Sequence, residues 1–403
     1  VKFQPLWLLG LLALTFTTRA EPLPNETDDG DDTTTEPLEL VYTRDCHPEG
    51  FAFVDAFTRD TGIEVKVSKI AQDNIKAELL RLISQHKAPD VVIVPSDHVG
   101  VYSYMNFSEL DPKAVPHQIS PDLWQTGRAD GKWYGAPFTQ GNHLVLYYNK
   151  RYIDQPARRW AQMRAQKARL DAQGVETITW HYKAVYWLLP FLGAYGGSPM
   201  EGGELSLNTP AMARALDFYK SLVDEGLVDP EPDYNTANDR FLEEKSAYIL
   251  NGDWELQNYE QALGENLGVV PLPAIGDKAL VPFYSTQVLV FPDQSLSGPK
   301  SEQLKRFLNY SLSPKAQQLV YEDTKLIPVE NRALTRIKQE ANAHFQTLLE
   351  ELETAQPVPG EPAMSLAWGA MVQGFRRHQA GAPAAEAATI MQRLAKKELE
   401  AAQ

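Results

Sequence analysis

The strongest constraint on the fold is a regular alternation of short apolar segments and amphipathic helices near the start of the chain. Residues 38–43 and 63–67 predict strands, while residues 49–60 and 72–85 repeat apolar side chains at helical spacing. Residues 91–94 are an unbroken run of Val and Ile, as expected for a strand that is buried on both faces. This order of elements predicts an α/β sheet in the first part of the chain.

A second group of elements follows residues 131–150, which predict two short strands separated by a Gly-rich, polar bend. Such a stretch can carry the chain from one lobe to another and leave polar side chains at the crossing. Beyond it, residues 209–225 are a well-marked helix, with Thr209 as N-cap and Pro210 in the first turn. Further helices are predicted at residues 157–174, 184–195, 301–312, 314–322, 339–354 and 383–401. The sequence therefore predicts two α/β lobes.

The first 20 residues have the features of a secretory signal peptide. Lys2 is followed by an apolar run at residues 6–16, and Thr18 and Ala20 are small residues at the cleavage positions. The run is shorter than the roughly 20 residues of a membrane span, which favours a cleaved signal over a membrane anchor. Residues 21–37 are acidic and almost free of apolar side chains, which predicts a disordered leader.

Composition and charge limit the partners and the compartment. The 403 residues are 43% hydrophobic, enough for a sizeable core, and the net charge of −15 argues against nucleic acid and anionic membranes as partners. The single cysteine, Cys46, cannot form an intramolecular disulfide, and it lies too far from the predicted cleavage site to carry a lipid. A buried small side chain is its simplest role. We therefore expect an exported protein of a Gram-negative periplasm.

Sequence motifs for catalysis or metal binding are missing. None of the eight histidines belongs to a His-Glu-x-x-His motif, and the chain has neither a Gly-x-Ser-x-Gly elbow nor a phosphate-binding loop. We expect no enzyme activity, no metal site and no cofactor. A glycosidase carboxylate pair has no sequence signature, however, so a carbohydrate-active enzyme stays open as an alternative.

Aromatic residues beside polar ones are the best candidates for ligand contacts. They are Trp133-Tyr134, Tyr186-Trp187, Asp253-Trp254 and Trp368. An aromatic face can stack on the C–H face of a sugar ring, while neighbouring polar groups bond its hydroxyls. For most of these residues taken singly, burial in the hydrophobic core is the simpler explanation. Trp254 and Trp368 follow turn-rich segments, which favours a binding role for these two.

Six segments, in order, resemble those of the bacterial extracellular solute-binding proteins of sugar ABC transporters, in the maltose/maltodextrin-binding group. They are residues 57–65, 89–97, 135–150, 241–254, 326–329 and 362–368. The resemblance implies a two-lobed periplasmic-binding-protein fold, similar to type II, with a hinge and a ligand cleft between the lobes. The implied lobes are residues 38–142 with 287–328, and residues 143–286 with 329–403.

The function that this resemblance implies is capture of a carbohydrate in the periplasm and its delivery to an ABC permease of the inner membrane, by a monomer without catalysis. The spread of aromatic residues over several segments favours an oligosaccharide, such as a maltodextrin. The same fold could instead bind another small polar or cationic solute, because aromatic rings with Asp97 and Asp253 can form a cation–π box. A protein that hands its ligand to a sensor would differ only in its partner.

The resemblance also implies site residues, position by position. Asp97 matches a cleft aspartate, and Tyr186, Trp254 and Trp368 match aromatic stackers, with Trp187 beside the first of them. Further candidates, at positions that match less closely, are His98, Asn142 and Asp45, the last in a charged pair with Arg44. His143 is either one more candidate or a solvent-facing residue at a strand edge.

Several polar positions differ from those of the maltose-binding relative. Val94 replaces a tryptophan, His98 an arginine, and Asn142 and Ala184 each a glutamate. The aromatic residues are thus retained while much of the hydrogen-bonding set has changed. Because polar contacts set specificity, the resemblance implies a sugar without implying maltose itself.

Overall fold

The computed structural model describes residues 36–42, 52–70, 74–359 and 362–402, and those from Pro37 onward belong to one compact unit. The predicted signal peptide, nearly all of the leader, and the residues Arg44, Asp45 and Cys46 lie outside the described residues. No helix in the described ranges is long and apolar enough to cross a membrane.

The strands have the following bounds. They are β1 (Leu38–Tyr42), β2 (Val65–Lys69), β3 (Val91–Pro95), β4 (Arg128–Ala129), β5 (Lys132–Trp133), β6 (Gly135–Gln140), β7 (Leu144–Asn149), β8 (Glu176–Thr179), β9 (Met200–Glu201), β10 (Glu204–Leu205), β11 (Ser246–Gly252), β12 (Leu267–Val270), β13 (Phe283–Tyr284), β14 (Gln287–Val290), β15 (Ile327–Pro328) and β16 (Gln356–Pro357).

The α-helices surround the sheets. They are α1 (Ala52–Thr61), α2 (Ile75–Ser84), α3 (Pro121–Gln125), α4 (Trp160–Asp171), α5 (Leu189–Ala194), α6 (Pro210–Asp224), α7 (Tyr234–Leu242), α8 (Leu256–Leu263), α9 (Ser301–Ser311), α10 (Pro314–Thr324), α11 (Asn331–Glu340), α12 (Ala343–Thr354), α13 (Pro362–Gln379) and α14 (Ala384–Ala402). Short 3-10 helices that bear on the site are Ser96–Val101, Val185–Leu188 and Asp253–Glu255.

Two mixed sheets organise the molecule. The six-stranded sheet has the order β15-β6-β14-β3-β1-β2, with β1 parallel to both β2 and β3 and with β14 antiparallel to β3 and β6. The four-stranded sheet has the order β12-β7-β11-β8, with β7 antiparallel to β11 and β12. The chain leaves the first sheet after β6, enters the second at β7, and returns to the first at β14. The chain therefore crosses between the two sheets at residues 141–143 and again before Gln287.

Both sheets are covered on both faces, which explains their long apolar runs. In the six-stranded sheet, Ile93 packs into one cluster and Val92 into another on the opposite face. In the four-stranded sheet, Leu146 and Tyr147 likewise pack into different clusters on opposite faces. Helix α13 packs with the core of the four-stranded sheet through side chains that include Met364. Each sheet therefore has a core of its own.

Most predicted elements are confirmed, and the exceptions have local causes. Thr209 caps α6 as predicted, since its side chain accepts a hydrogen bond from the N–H of Met212. Strand β2 begins two residues later than predicted, at Val65, although Gly62 follows the end of α1 as expected, with a φ of +73°. The helix predicted at residues 184–195 is a 3-10 turn followed by α5, in which Pro190 lacks the N–H that a continuous helix needs.

The helix predicted at residues 339–354 is wrong at its start, and α11 before it is missing from the prediction. Asn342 caps α12, accepting a 2.9 Å hydrogen bond from the N–H of Phe345. Ala341 is extended and ends α11. The N-cap of α11 is Glu330, a fully buried carboxylate that accepts from the N–H of Ala333 at 2.9 Å. Glutamate is an uncommon N-cap, so the sequence pattern gave no start signal.

Candidate ligand-binding cleft

Five aromatic side chains from four separate segments meet in one place, and we call them the aromatic cluster. They are Tyr186, Trp187, Tyr234, Trp254 and Trp368. The ring centroid of Tyr186 lies 6.5 Å from that of Trp254 and 6.3 Å from that of Trp368. Tyr186, Trp254 and Trp368 are partly exposed, which leaves ring surface for a ligand. The structure thus brings together three residues that are far apart in sequence.

The end of strand β11 positions Trp254. Every residue of β11 is buried, and the strand ends at Gly252. A Cβ at Gly252 would lie 2.0 Å from an atom of the Trp254 ring, so glycine is needed for this ring to cover the strand end. The indole N–H of Trp254 donates a 2.7 Å hydrogen bond to the hydroxyl of Tyr234. The ring therefore has a fixed orientation.

Trp187 supports this cluster from within. Its side chain is 7% exposed, and its indole N–H donates a 2.8 Å hydrogen bond to the carbonyl of Leu250 in β11. Its ring stands perpendicular to that of Trp254, with 6.5 Å between the centroids. A ligand contact for Trp187 stays a prediction, and the burial favours a packing role.

Asp97 faces the aromatic cluster from the six-stranded sheet. It lies in the 3-10 helix that follows β3 directly. The Trp368 indole N–H donates to its carboxylate at 3.2 Å, and the Ser365 hydroxyl donates to its backbone carbonyl at 3.0 Å. Because α13 packs on the core of the four-stranded sheet, these bonds connect the two sheets across the cleft.

His98 and burial act in opposite directions on the Asp97 carboxyl. The Nδ1 atom of His98 lies 3.4 Å from a carboxylate oxygen, and the two side chains are 11% and 16% exposed, respectively. Burial of Asp97 favours its neutral form, but the charge and hydrogen bond of His98, with Lys76 and Trp368, hold its pKa below the ordinary value. Asp97 is therefore a carboxylate at neutral pH, suited to accept hydrogen bonds from hydroxyl groups.

Asn142 lies in the crossing between β6 and β7, which forms a polar junction. We call Gly141, Asn142, His143 and Asp253 the crossing junction. The backbone N–H of Asn142 donates to the Asp253 carboxylate at 3.1 Å, and its side chain donates to Ser285 Oγ at 2.8 Å. Its carbonyl accepts from the hydroxyl of Tyr186. Asn142 thus anchors a ring of the aromatic cluster, and its direct contact with a ligand stays a prediction.

The interior of the crossing junction differs from the sequence expectations for His143 and Asp253. His143 is fully buried, so the solvent-facing alternative is wrong, and its Nε2 atom lies 3.0 Å from the carbonyl of Leu348. Its Nδ1 atom is 3.5 Å from Asp253, a carboxylate that is 2% exposed. Asp253 is therefore held within the junction, away from the role in a cation–π box that its place beside Trp254 suggested.

Other sequence candidates pack elsewhere, and one contributor was missed. Tyr134 stacks on Tyr102 with 4.1 Å between centroids, and Trp133 packs against the core of the six-stranded sheet. Asp45 lies outside the described residues. Tyr234 was missed, although it follows the turn-rich residues 229–233, the kind of signal that favoured Trp254. No group of three potential metal ligands occurs among the residues that the structure describes.

Comparison with known proteins now identifies the family. The family model described as bacterial extracellular solute-binding protein matches residues 52–347, more than half of the chain. The chain belongs to this family. Its fold is shared with the maltose/maltodextrin-binding domain MalE from Bdellovibrio bacteriovorus bound to maltotriose, with a TM-score of 0.82, 22% identity, and coverage of 91% of this chain and 100% of that one. The two-lobed periplasmic-binding-protein fold that the sequence predicted is confirmed.

Characterised relatives with similar sequences are also solute-binding proteins. The maltodextrin-binding protein MdxE of Bacillus subtilis is 24% identical over 298 residues, which are 70% of each chain. A maltooligosaccharide ABC transporter solute-binding lipoprotein of Streptococcus pneumoniae is 24% identical over 332 residues, covering 78% of this chain and 77% of the relative. These relatives are binding proteins.

Proposed function

We propose that this protein captures an oligosaccharide of the maltodextrin type and delivers it to an ABC importer. The observation that carries the proposal is the meeting of Tyr186, Trp254 and Trp368 opposite the carboxylate of Asp97. Aromatic faces and hydrogen-bond acceptors are what a sugar ring requires. The relatives named for maltodextrin and maltooligosaccharide, and the maltotriose in the related structure, support this ligand class.

The chemistry of capture follows from the two sides of the cleft. The aromatic rings stack on the C–H faces of the sugar, while Asp97 and His98 accept or donate hydrogen bonds at its edges. We propose that residues 38–142 with 287–328 move as one lobe, and residues 143–286 with 329–403 as the other. A ligand favours the closed arrangement only if it binds that arrangement more tightly than the open one. Contact with both lobes at once supplies this difference.

We propose further that the protein is exported by a cleaved signal peptide at residues 1–20 and works in the periplasm as a non-catalytic monomer. Two measurements test the cleavage of the signal peptide and the absence of catalysis. Mass spectrometry of the exported protein should give an N-terminus at Glu21. Maltotriose incubated with the protein should be recovered uncleaved, and its hydrolysis would support the alternative of a carbohydrate-active enzyme.

A cationic solute is the second candidate, because the Asp97 carboxylate accepts a hydrogen bond from the Trp368 indole, whose ring lies 6.3 Å from that of Tyr186. An ammonium group is attracted by aromatic faces and by a carboxylate alike. A quaternary amine such as choline is the probe for this alternative, and it belongs in the same ligand screen.

The experiment is a thermal-shift screen of the mature chain against maltotriose, longer maltooligosaccharides, other disaccharides and choline. A ligand at one hundred times its Kd stabilises the folded state by about 2.7 kcal/mol. We expect maltooligosaccharides to raise the Tm, and Trp254→Ala or Trp368→Ala to remove the shift. Tyr104→Ala, at a 62% exposed aromatic residue outside the cluster, is the matched control and should keep it. A shift with choline alone would contradict the saccharide proposal.

A further inference from the structure

A second polar pocket opens between α7, α8 and the 3-10 helix Asp253–Glu255. It encloses about 440 Å³, within the roughly 300–1,000 Å³ of small-molecule sites. Four carboxamide side chains, one tyrosine and one carboxylate line it. These polar residues are Asn235, Asn238, Asn258, Gln261, Tyr234 and Glu255, and the apolar Leu242 and Ala262 complete the lining. An aromatic ring with several amides is the combination that also suits hydroxyl-rich ligands.

The floor of this pocket is fixed by internal hydrogen bonds. Glu255 is 3% exposed; one of its carboxylate oxygens accepts from the hydroxyl of Tyr234, and the other accepts from the Asn258 amide at 2.8 Å. Asn238 is 9% exposed and accepts from the Asn251 amide at 2.8 Å. These bonds hold the polar groups in place before a ligand arrives, which lowers the entropic cost of binding.

The rim, in contrast, offers free hydrogen-bonding groups. Asn235 and Gln261 are exposed, and their side chains have no hydrogen-bond partner within the described part of the chain. Each carboxamide can donate and accept, as a sugar hydroxyl can. Among the described residues, no lysine, arginine or histidine lines the pocket, so it lacks the positive charge that an anionic ligand would need.

Tyr234 joins this pocket to the aromatic cluster. Its hydroxyl accepts the 2.7 Å hydrogen bond from the Trp254 indole N–H and donates to Glu255 at the pocket floor. Its ring lies 6.2 Å from that of Trp187. A ligand that contacts Tyr234 from the pocket therefore changes the surroundings of the Trp254 indole N–H.

We propose that this pocket is a second saccharide site, separate from the cleft and coupled to it through Tyr234 and Trp254. The inference rests on the proposed function, since it takes the ligand class from the cleft. The pocket is open and its rim is hydrophilic, so the second site binds more weakly than the cleft and fills after it.

The test is a maltotriose titration of the mature, isotope-labelled chain, followed by the NMR signals of the tryptophan indole N–H groups. Trp254→Phe and Trp368→Phe assign the two signals. We expect two phases: both signals shift as the cleft fills, and then the Trp254 signal alone shifts at higher concentration. Asn235→Ala/Gln261→Ala should abolish the second phase and leave the first unchanged. Gln173→Ala, another exposed amide on the same lobe, is the control and should keep both phases.

The outcomes separate the two proposals. A single phase, or a second phase that survives in Asn235→Ala/Gln261→Ala, would overturn the second site and leave the proposed function standing. No shift at any maltotriose concentration would contradict both proposals. A second phase that appears with choline and not with maltotriose would show that Glu255 selects a cation and would overturn the saccharide assignment.

Discussion

The aromatic cluster and the crossing junction lie side by side, yet they differ in the burial and hydrogen bonding of their polar groups. In the cluster, the indole N–H groups of Trp187, Trp254 and Trp368 each have a partner, and ring surface stays partly exposed. In the junction, His143 and Asp253 are almost completely buried, and Asp253 Oδ1 has no hydrogen-bond partner in the described part of the chain. The cluster thus leaves ring surface for a ligand. The junction instead lowers the stability of the folded state, because it buries a polar atom without a hydrogen bond from any described residue.

Trp187 gives the sharpest test of this division, because it belongs to the cluster by position and to the core by burial. Trp187→Ala should lower the free energy of unfolding by about 3–5 kcal/mol, as for other buried tryptophans. Trp254→Ala should cost less stability and more affinity, since its ring is partly exposed. Urea unfolding and maltotriose calorimetry of both variants measure the two effects. Equal stability losses in the two variants would contradict the assignment of Trp187 to packing and of Trp254 to ligand contact.

Gly141 tests the junction itself. Its φ is +110°, and an added Cβ would lie 2.1 Å from the Asp253 carboxylate. Gly141→Ala should therefore lower the unfolding free energy by about 3 kcal/mol, from backbone strain and the displacement of Asp253. Gly174→Ala is the matched control: its φ is +69°, and a Cβ there has nothing within 4 Å. If urea unfolding shows equal losses, backbone strain alone explains the effect and the contact with Asp253 contributes nothing.

Glu351 extends the junction into α12 and makes stability depend on pH. Its side chain is 4% exposed, and burial raises its pKa to about 7, against the N–H of Leu272 and the charges of His143 and Arg158. Because the folded state holds this proton more tightly than the unfolded one, the unfolding free energy falls as pH rises from about 4.5 to 7, by up to about 3 kcal/mol. The loss is complete above the folded-state pKa.

Glu351→Gln should remove this dependence. The variant should be more stable than the wild type at pH 8, and the difference should shrink towards pH 5, as measured by urea unfolding at both values. Glu350→Gln, at an exposed neighbour on the same helix, is the control and should leave the pH profile unchanged. A Glu351→Gln profile parallel to that of the wild type would show that this carboxyl titrates normally.

The sequence predicted the architecture well because strands β3 and β7 carry apolar side chains on both faces, a pattern that indicates a strand in the interior of a covered sheet. It selected Trp254 and Trp368 as ligand candidates because both follow turn-rich segments, and the structure brings both rings beside Tyr186. It could not predict the burial of His143 or Asp253, because their partners are distant in sequence. His143 lies against the carbonyl of Leu348, and Asp253 accepts from the N–H of Asn142. Tyr234 also follows a turn-rich segment, but its role as the link between Trp254 and Glu255 could not be predicted, because that role depends on two side-chain hydrogen bonds to residues 20 and 21 positions away.

Asp97 gives the smallest expected effect and the most selective one, because it separates the two ligand classes. Asp97→Asn keeps an oxygen that can accept the Trp368 indole N–H and removes the negative charge. A neutral sugar should then bind about tenfold more weakly, as expected for the loss of one charge-assisted hydrogen bond of about 1.4 kcal/mol.

Calorimetry with maltotriose and choline measures both ligands on the same variant. If choline bound the wild type and lost far more affinity than maltotriose, the carboxylate would be a counter-ion, and the polar side of the cleft would select charge. A tenfold loss confined to maltotriose would instead assign hydroxyl recognition to Asp97 and leave stacking as the task of the aromatic cluster.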